Sequence, residues 1–450
     1  MKNNLSANLI ALAKSCPYPL YMVGGRVRDF IAGLTPEKFD NDICAPAQAE
    51  DFVARAKAAG FRINAVYKNT GTVKLACGGE EYEFTSFRSD EYVRGVHTPV
   101  RTYFTDDITL DARRRDFKCN AVYYDICAGQ FCDPLGGIAD IKAKRLTTVA
   151  DANKVFGEDG LRLMRLARIA AQTGFKPTEE CLQGAKNNVG LLEDIAVERI
   201  YSELNQILHA DLKYGIEGAQ YAGLNILKES GVLWAVLPEL AAGDKMEQRA
   251  DFHNHDVLEH SFRAVKYADK SIRLAALLHD VGKPYCMLRY GNAHAHDTYG
   301  EIIALEICAR LRVPKKLSER VGKLISLHMY DLDCKAKEGK VRKFIIKNYE
   351  YFDELMLLKQ ADFSACKDDT SPAPTVVKMQ GILQKMKDEG LPLTIKELKV
   401  KGDDLIKAGV KKELVGKTLE GLILECAVNR VKNEKSALTA CALKLANGCN

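Results

Sequence analysis

The stretch EKFDNDICAP (residues 37–46) sets two carboxylates, Asp40 and Asp42, on either side of one asparagine in a run that otherwise leans apolar. A strand over Phe39–Cys44 would point both carboxylates to one face, because side chains at i and i+2 share a face. Two carboxylates so close repel unless a cation lies between them, and hard oxygen ligands suit Mg²⁺, which also takes phosphate oxygens. Alone, such a pair is more often solvated than metal-bound, so its sequence neighbours decide its meaning.

The composition predicts a soluble, multidomain protein. The 450 residues are 47% apolar, enough to fill the cores of two to four domains. The apolar runs fall short of the roughly 20 residues that a membrane span needs, and the N-terminus lacks a secretion signal. We therefore expect a cytoplasmic protein with no membrane partner. The 14 cysteines are scattered without a CxxC pair, and we expect reduced thiols.

The apolar spacing changes from an α/β pattern to an α pattern at about Phe156. The predicted strands are Leu20–Val23, Phe39–Cys44, Thr72–Cys77 and Tyr82–Phe87, and the first predicted helices are Val27–Ala32 and Ala47–Ala59. We predict an α/β head with a mixed sheet and helices, followed by a mostly α-helical remainder. The expected domains are the head (1–145), a helical neck (146–238), a third helical domain (239–370) and a basic helical tail (371–450).

Groups suited to phosphate surround the acid pair. Gly24 and Gly25 follow a predicted strand and open a helix, where free N–H groups and the helix dipole favour an anion, and Arg26 and Arg28 add positive charge. A structural turn is the alternative. Glu83, on a later predicted strand, is a candidate third acid beside the pair. Downstream, DARRRDFKCNA offers cations, an acid and an amide that suit a triphosphate and a ribose, with a surface ion-pair cluster as the alternative: Arg113, Arg114, Arg115, Asp116 and Asn120.

Five motifs together resemble those of a known family. GGRVRD, DND, EFTSFR, RRDFKCNA and DPLGG (residues 133–137) follow the order and spacing of the class II tRNA nucleotidyltransferases, which are the CCA-adding enzymes and the related bacterial poly(A) polymerases. The resemblance implies that the head is a nucleotidyltransferase domain in which Asp40 and Asp42 bind catalytic Mg²⁺. It also implies that a tRNA 3′-hydroxyl attacks the α-phosphate of CTP or ATP and releases pyrophosphate by a two-metal mechanism.

The motif EDGLR (residues 158–162) suits the selection of bases. Asp159 and Arg162 are three residues apart in a predicted helix that opens at Glu158, and therefore on one helical face. A carboxylate that accepts from an exocyclic amine, beside a guanidinium that donates to a ring nitrogen, accepts C and A and rejects U and G. An ordinary ion pair at the helix start is the alternative. The motif resembles the family's EDxxR, whose acid and arginine pair with the incoming base.

Two further features extend the neck. Arg165 and Arg168 continue the cationic stripe of this helix, and we expect them to contact phosphate. Residues Val197–Leu208 are similar to the family's next helical motif, which braces the neck.

Seven of the nine histidines lie between His253 and His328. Imidazoles and carboxylates on helices suit a divalent transition metal with an open position that activates water. The pattern H…HD…D resembles the HD phosphohydrolase superfamily. The resemblance implies hydrolysis of phosphate esters such as 2′,3′-cyclic phosphates, and its metal ligands map onto His260, His279, Asp280 and Asp362, with His296 and His328 as possible additions.

The C-terminal tail is basic. From Pro372 onward there are 14 Lys and Arg against 9 Asp and Glu, in short helical patterns punctuated by glycine. The segment resembles the family's tRNA-binding tail, so tRNA is the expected partner. On charge alone, a basic solvated surface is equally compatible.

Departures from the family pattern leave alternatives open. Val96, in YVRGVHTPV (residues 92–100), stands where an arginine is expected, and Lys118 and Cys119 replace threonine and isoleucine. The first departure lies in a loop that the family ties to the switch from C to A addition, so CC-only or A-only addition stays open. A poly(A) polymerase should carry a GRRFR-like stretch between residues 60 and 80, which is missing. The alternative from another class is an HD-type nucleotide phosphohydrolase with an inactive head, against which the intact acids argue.

Overall fold

The chain divides into two compact units in the computed structural model, which describes residues 1, 4–92, 100–249, 251 and 254–447. The first unit is Met1–Ala241 with Arg310–Val313, and the second is Ala242–Ala309 with Pro314–Asn450. The departure at Val96 lies outside the described residues. No described helix is long and apolar enough to cross a membrane, and the described cysteines form no disulfide.

The first unit combines an α/β head with a run of helices. Its strands are β1 (Tyr21–Val23), β2 (Asp42–Ala45), β3 (Arg62–Tyr67), β4 (Thr72–Cys77), β5 (Glu80–Ser86), β6 (Arg88–Glu91), β7 (Arg101–Phe104), β8 (Tyr123–Asp125), β9 (Phe131–Cys132), β10 (Arg145–Leu146) and β11 (Lys176–Pro177). Its helices are α1 (Ala7–Ser15), α2 (Gly25–Ala32), α3 (Ala49–Ala58), α4 (Ile108–Arg113), α5 (Gly137–Lys142), α6 (Ala152–Glu158), α7 (Leu161–Thr173), α8 (Glu179–Asn188), α9 (Val197–Leu208), α10 (Ala210–Tyr214), α11 (Ala219–Glu229), α12 (Val232–Val236) and α13 (Pro238–Ala241).

A seven-stranded mixed sheet forms the centre of the head, in the order β3-β4-β5-β2-β1-β8-β9. The pair β2 and β5 is parallel, and the other neighbouring pairs are antiparallel. Helix α3 covers the sheet through Phe52, whose ring stacks on Phe84 of β5 with centroids 3.6 Å apart. Both rings are fully buried, so this contact ties the helix to the strand beside β2. The predicted mixed sheet is confirmed.

The prediction that Asp40 lies within a strand was wrong, because β2 begins at Asp42. Asn41 is buried. Its side-chain Nδ2 donates to the backbone oxygen of Glu81 over 3.0 Å, and its backbone carbonyl accepts from the backbone N–H of Glu83 over 3.0 Å. Asn41 therefore fixes the chain beside β5 just before β2 begins, and Asp40, one residue earlier, is exposed to solvent. The carboxylates of Asp40 and Asp42 thus approach the site from a loop and a strand, respectively.

The described regular structure of the second unit is helical. Its helices are α14 (Val257–Tyr267), α15 (Arg273–Leu278), α16 (Gly282–Tyr290), α17 (His296–Arg310), α18 (Lys315–Leu327), α19 (Glu338–Lys347), α20 (Phe352–Lys367), α21 (Pro374–Asp388), α22 (Gly402–Lys407), α23 (Val415–Ala427) and α24 (Lys435–Asn447). Helix α14 packs against α15 and α20, which brings segments distant in sequence together around one buried centre.

Candidate active sites

Asp42 and Glu83 lie opposite each other on adjacent parallel strands. The register of β2 and β5 pairs the two residues directly, as expected for a third acid beside the strand aspartate. The pKa of Asp42 is raised to about 6. Burial is the largest cause, the charges of Glu83 and Asp40 add to it, and the charge of Arg115 opposes it. Such a group of carboxylates binds a cation favourably, because the cation offsets the cost of burying a negative charge and the repulsion between the carboxylates. The donor chemistry therefore fits a divalent ion.

The three head acids are not among the groups of described residues whose ligand atoms all lie within 4.8 Å of one another. Magnesium is commonly held by one or two carboxylates, with waters and substrate phosphate oxygens completing its shell. The looser arrangement of Asp40, Asp42 and Glu83 is compatible with that form of binding.

The Gly24–Gly25 turn approaches the Asp42 carboxylate closely. Gly24 has φ +76°, and a Cβ added there would lie 3.0 Å from Asp42 Oδ2. Helix α2 starts at Gly25, so free backbone N–H groups of its first turn lie beside the acid. The structure thus brings the predicted phosphate-binding turn and the predicted metal-binding acid together.

Arg26 and Arg28 are buried, and their guanidinium groups bind protein acceptors. Arg26 donates to Asn41 Oδ1 and to Asn4 O. Arg28 donates to Asp29 Oδ1 over 2.6 Å and to Asn120 Oδ1 over 2.9 Å. Both arginines therefore hold the turn and α2 in place, and their contact with a nucleotide stays a prediction.

Asp111, which no sequence-based prediction named, organises the arginine cluster. It is fully buried and accepts from Arg114 Nε over 2.7 Å, Arg115 Nη2 over 3.1 Å and Tyr123 OH over 2.7 Å. Burial raises the pKa of this carboxyl, but Arg114, Arg115 and the tyrosine hydroxyl outweigh it and lower the pKa to about 2. The sequence signal that could have revealed it is the position of Arg114 and Arg115 three and four residues after Asp111, a spacing that brings side chains together in one helical turn.

Asp116 and Asn120 connect the head to helix α7. Asp116 Oδ2 accepts from Arg165 Nε over 2.8 Å, and Asp116 Oδ1 accepts from Asn120 Nδ2 over 3.1 Å. Arg168 donates from Nε to Glu203 Oε2 on α9 over 2.6 Å. Arg165 and Arg168 therefore brace α7 against the head and α9, and their predicted phosphate contacts remain untested.

The prediction of one helix through Glu158, Asp159 and Arg162 was wrong. Helix α6 ends at Glu158, Asp159 is extended (φ −149°, ψ 109°), and α7 starts at Leu161. A Cβ on Gly160 would lie 2.7 Å from Leu191 O in the 3-10 turn Val189–Asp194, so the close approach of that turn requires a glycine at this break. The acid and the arginine are therefore set by a helix junction rather than by helical periodicity.

The side chains of Asp159 and Arg162 bind different groups. Asp159 Oδ1 accepts from Leu161 N over 3.0 Å. Arg162 is buried and donates to Val155 O, Glu158 Oε2 and Arg114 O over 2.7–2.8 Å. These bonds use three of the five N–H donors of a guanidinium.

A polar cavity of about 590 Å³ lies beside this junction and is large enough for a nucleotide. Its lining residues come from the β6 end, α6 and α8: Asp90, Tyr92, Asn153, Lys154, Gly157, Glu158, Asn187 and Asn188. The guanidinium of Arg162 lies 5.7 Å from the ring centroid of Tyr92, so one wall of the cavity contacts the predicted base-selecting arginine.

The second unit brings six predicted metal ligands together in its core. Two groups each have ligand atoms within 4.8 Å of one another, the first His260, His279 and Asp362 and the second Asp280, His296 and His328. Asp280 connects the two groups. Its Oδ1 is 3.2 Å from Nε2 of His296 in its own group, and its Oδ2 is 3.5 Å from Nε2 of His260 in the other. The mapped ligands and both possible additions thus form one cluster, in which each group could hold a metal ion.

Backbone carbonyls orient three of these imidazoles. Nδ1 of His279, His296 and His328 lies 2.8, 2.8 and 2.6 Å from the carbonyl oxygen three residues earlier. With a proton on Nδ1 for that bond, Nε2 faces the cluster and is the ring nitrogen that would bind a metal. Burial, together with the neighbouring His279 and His296, lowers the pKa of His328 to about 3, so this ring is neutral at pH 7.

The two carboxylates of the cluster remain ionised. Although burial raises the pKa values of Asp280 and Asp362, the surrounding histidines lower both well below the usual range. Lys283 Nζ lies 2.6 Å from Asp280 Oδ2 and also donates to Gln248 over 2.7 Å. Burial lowers the pKa of His279, but the charges of Asp280 and Asp362 outweigh it and raise that pKa to about 10, so a metal would have to replace a proton on this ring. Imidazoles beside ionised carboxylates are the donor set of a divalent metal centre.

Three family models match separate segments of the chain. The Poly A polymerase head domain matches residues 20–147, the probable RNA and SrmB-binding site of polymerase A matches residues 174–243, and the HD domain matches residues 257–362. The head match contains the three acids, and the HD match contains the six-residue cluster. The fold and the two sites thus define a nucleotidyltransferase that carries an HD domain.

Curated relatives specify the family further. The A-adding tRNA nucleotidyltransferase of Deinococcus radiodurans is 30% identical over 374 residues, which cover 79% of each chain. The multifunctional CCA protein of Neisseria gonorrhoeae is 32% identical over 66% of this chain and 71% of its own. The CCA-adding enzyme of Lactococcus lactis subsp. cremoris is 36% identical over about half of each chain, 49% and 52%. This chain belongs to the tRNA nucleotidyltransferase family.

Solved structures agree in fold. The CCA-adding enzyme of Bacillus stearothermophilus in complex with CTP has a TM-score of 0.70 at 22% identity, with 99% of both chains covered. The CCA-adding enzyme of Thermotoga maritima complexed with tRNA has a TM-score of 0.60 at 18% identity, covering 97% of this chain and 94% of that one. The α/β head followed by helices is therefore the fold of known CCA-adding enzymes.

Proposed function

We propose that this protein adds C, C and A to the 3′ end of tRNA, using CTP and ATP. The observation that carries the proposal is the meeting of Asp42, Glu83 and the Gly24–Gly25 turn, with Asp40 at the edge of the same site. The relatives named CCA-adding enzymes and the structural likeness to such enzymes with CTP or tRNA support the choice of substrates.

Asp40, Asp42 and Glu83 would hold the catalytic Mg²⁺. When bound, Mg²⁺ activates the 3′-hydroxyl and stabilises the negative charge that develops on the phosphates. The N-terminal N–H groups of α2 bind triphosphate oxygens, and Gly24 lets the phosphates approach the acids because it has no side chain. Arg114 and Arg115, oriented by Asp111, keep positive charge beside the site.

Asp159 and Arg162 would select the base. Asp159 accepts from the exocyclic amine of cytosine or adenine, and Arg162 donates from its remaining N–H groups to the adjacent ring nitrogen. Uracil and guanine present a carbonyl and an N–H at these positions, which oppose both groups. Buried hydrogen-bonding groups reject a mismatched partner strongly, because the mismatch leaves them unpaired.

The test offers labelled CTP, ATP, UTP or GTP, singly and then together, to a tRNA that ends at the discriminator base, with Mg²⁺ present. We expect addition of C, then C, then A, with refusal of U and G. A long A tract would overturn the proposal in favour of a poly(A) polymerase.

A-only addition is the second candidate. The observation in its favour is that the relative matched over 79% of this chain is named an A-adding enzyme. A tRNA that ends in CC separates the two candidates. An A-only enzyme extends this substrate with ATP but adds nothing to a tRNA that ends at the discriminator base, whereas a CCA-adding enzyme extends both.

We further propose that the HD domain hydrolyses phosphate esters with a divalent transition metal. The six-residue cluster supports this activity, since it offers imidazole nitrogens and ionised carboxylates as ligands for a metal that activates water. The test measures release of product from 2′,3′-cyclic AMP with Mn²⁺, Co²⁺ or Ni²⁺. His279→Ala should abolish it, and His294→Ala, at an exposed histidine in the loop before α17, is the matched control. Hydrolysis that survives His279→Ala would refute the assignment.

A further inference from the structure

A lysine from helix α10 reaches the acids of the head. Lys213 Nζ lies 3.3 Å from Asp40 Oδ2, although the two residues are 173 positions apart in the chain. The lysine side chain is 24% exposed and the aspartate side chain 69% exposed, so the pair lies at the mouth of the site. A cation from the helical part of the first unit therefore lies against a carboxylate that the proposed function assigns to metal.

Helix α10 is fixed at the phosphate-binding turn. Tyr214, next to Lys213, donates from its hydroxyl to Asp29 Oδ2 over 2.6 Å and accepts from Arg28 Nη2 over 3.0 Å. Asp29 and Arg28 are buried residues of α2, the helix that begins at Gly25. The ammonium of Lys213 is thus held beside the same turn that faces incoming phosphates.

The pairing with Asp40 and the binding of metal exclude each other electrostatically. A divalent ion at the Asp40 carboxylate repels an ammonium 3.3 Å away from the same oxygen and neutralises the charge that attracts it. The ammonium must then find another anion within reach of a flexible four-carbon stem. The triphosphate of a bound nucleotide would bring such an anion to this turn.

We propose that Lys213 is a further catalytic residue, which pairs with Asp40 in the free enzyme and binds a phosphate oxygen of the incoming nucleotide once metal occupies the acids. The inference rests on the proposed function of the head and adds to it a phosphate ligand from helix α10. It has two consequences of opposite sign, because the same lysine opposes metal binding and favours nucleotide binding.

Lys213→Met tests both consequences. We expect Mn²⁺ to bind the head about fivefold more tightly in the absence of nucleotide, and the KM for CTP and ATP to rise about fivefold or more, as for loss of one partly exposed charge contact. Because the second unit could also bind Mn²⁺, binding to the head is taken as the difference in bound Mn²⁺ between proteins with Asp42 and with Asp42→Asn. Lys213→Arg keeps the charge and should restore both values, and Lys142→Met, at an exposed lysine of α5, should change neither.

Weaker binding of both Mn²⁺ and nucleotide, or no change in either, would overturn the inference, since a merely structural role shifts both in one direction. Tyr214→Phe removes the hydrogen bond to Asp29 but keeps the lysine, so it should lower Tm without tightening Mn²⁺ binding. If the wild-type protein adds no nucleotide to tRNA, the proposed function fails by itself. The Mn²⁺ titration and equilibrium binding of CTP then still decide the role of Lys213.

Discussion

Asp111 shows how one buried carboxylate sets the charge of the head site. Because its pKa is lowered to about 2 in the folded protein from 3.8 when unfolded, its ionised form stabilises the fold above about pH 4. That contribution, about 2 kcal/mol, is lost as the pH falls from about 4 towards 2. We expect Asp111→Asn to have a lower free energy of unfolding than wild type at pH 7. The difference between the two proteins should shrink as the pH falls from about 4 towards 2.

Urea unfolding of both proteins from pH 7 to pH 3 measures this change. Asp106→Asn, at an exposed aspartate nearby, is the control and should show no such convergence. A deficit that stays constant with pH would show that Asp111 acts through packing rather than through its charge.

Gly24 offers a second test at the scale of single residues. Gly24→Ala places a Cβ 3.0 Å from Asp42 Oδ2 on a backbone with φ +76°, so it combines backbone strain with displacement of the acid. We expect a loss of about 1 kcal/mol in stability and at least a tenfold loss of nucleotide addition. Gly33→Ala is the matched control, because φ there is +70° with nothing within 4 Å of the added Cβ. Equal activity of the two variants would contradict the proposed closeness of turn and acid.

Local patterns predicted the elements that depend on local sequence. Strand β4 was predicted at its exact bounds, Thr72–Cys77, because alternating apolar residues lie between glycines. The start of β2 was missed because Asn41 is held by bonds to residues near Glu83, forty positions away. The break at Asp159 was missed for a similar reason, since Leu191 imposes it. Lys213 had no local signal, because its partner is 173 residues distant.

The helix junction at Gly160 is testable as an element. Gly160→Ala sets a Cβ 2.7 Å from Leu191 O and 3.0 Å from Leu191 C, which are backbone atoms that yield little. We expect a loss of about 1–3 kcal/mol in stability. Because the junction positions Asp159 and Arg162, we also expect more UTP incorporation. Gly190→Ala, where a Cβ meets nothing within 4 Å, is the control for both readouts. If Gly160→Ala were less stable but incorporated no more UTP than wild type, the geometry of the junction would not determine which base is selected.

Over the whole molecule, each compact unit holds its own candidate centre. The head acids lie in the first unit and the histidine cluster in the second, and the ligand types differ accordingly. Carboxylates alone suit Mg²⁺ with phosphate, whereas buried imidazoles with carboxylates suit a transition metal. Nucleotidyl transfer, which breaks the α–β phosphoanhydride of the nucleotide, and hydrolysis of a phosphate ester are therefore expected to need different metals in one chain.

Reciprocal inactivation tests this division. Asp42→Asn should lower nucleotide addition by about a thousandfold or more and leave cyclic phosphate hydrolysis intact, because it removes a head ligand without touching the cluster. His279→Ala should do the reverse. Both activities are measured on the same protein preparations, with tRNA binding as the check on folding. If either substitution abolished both reactions while tRNA binding persisted, the two centres would not be independent, because each variant changes ligands in one unit alone.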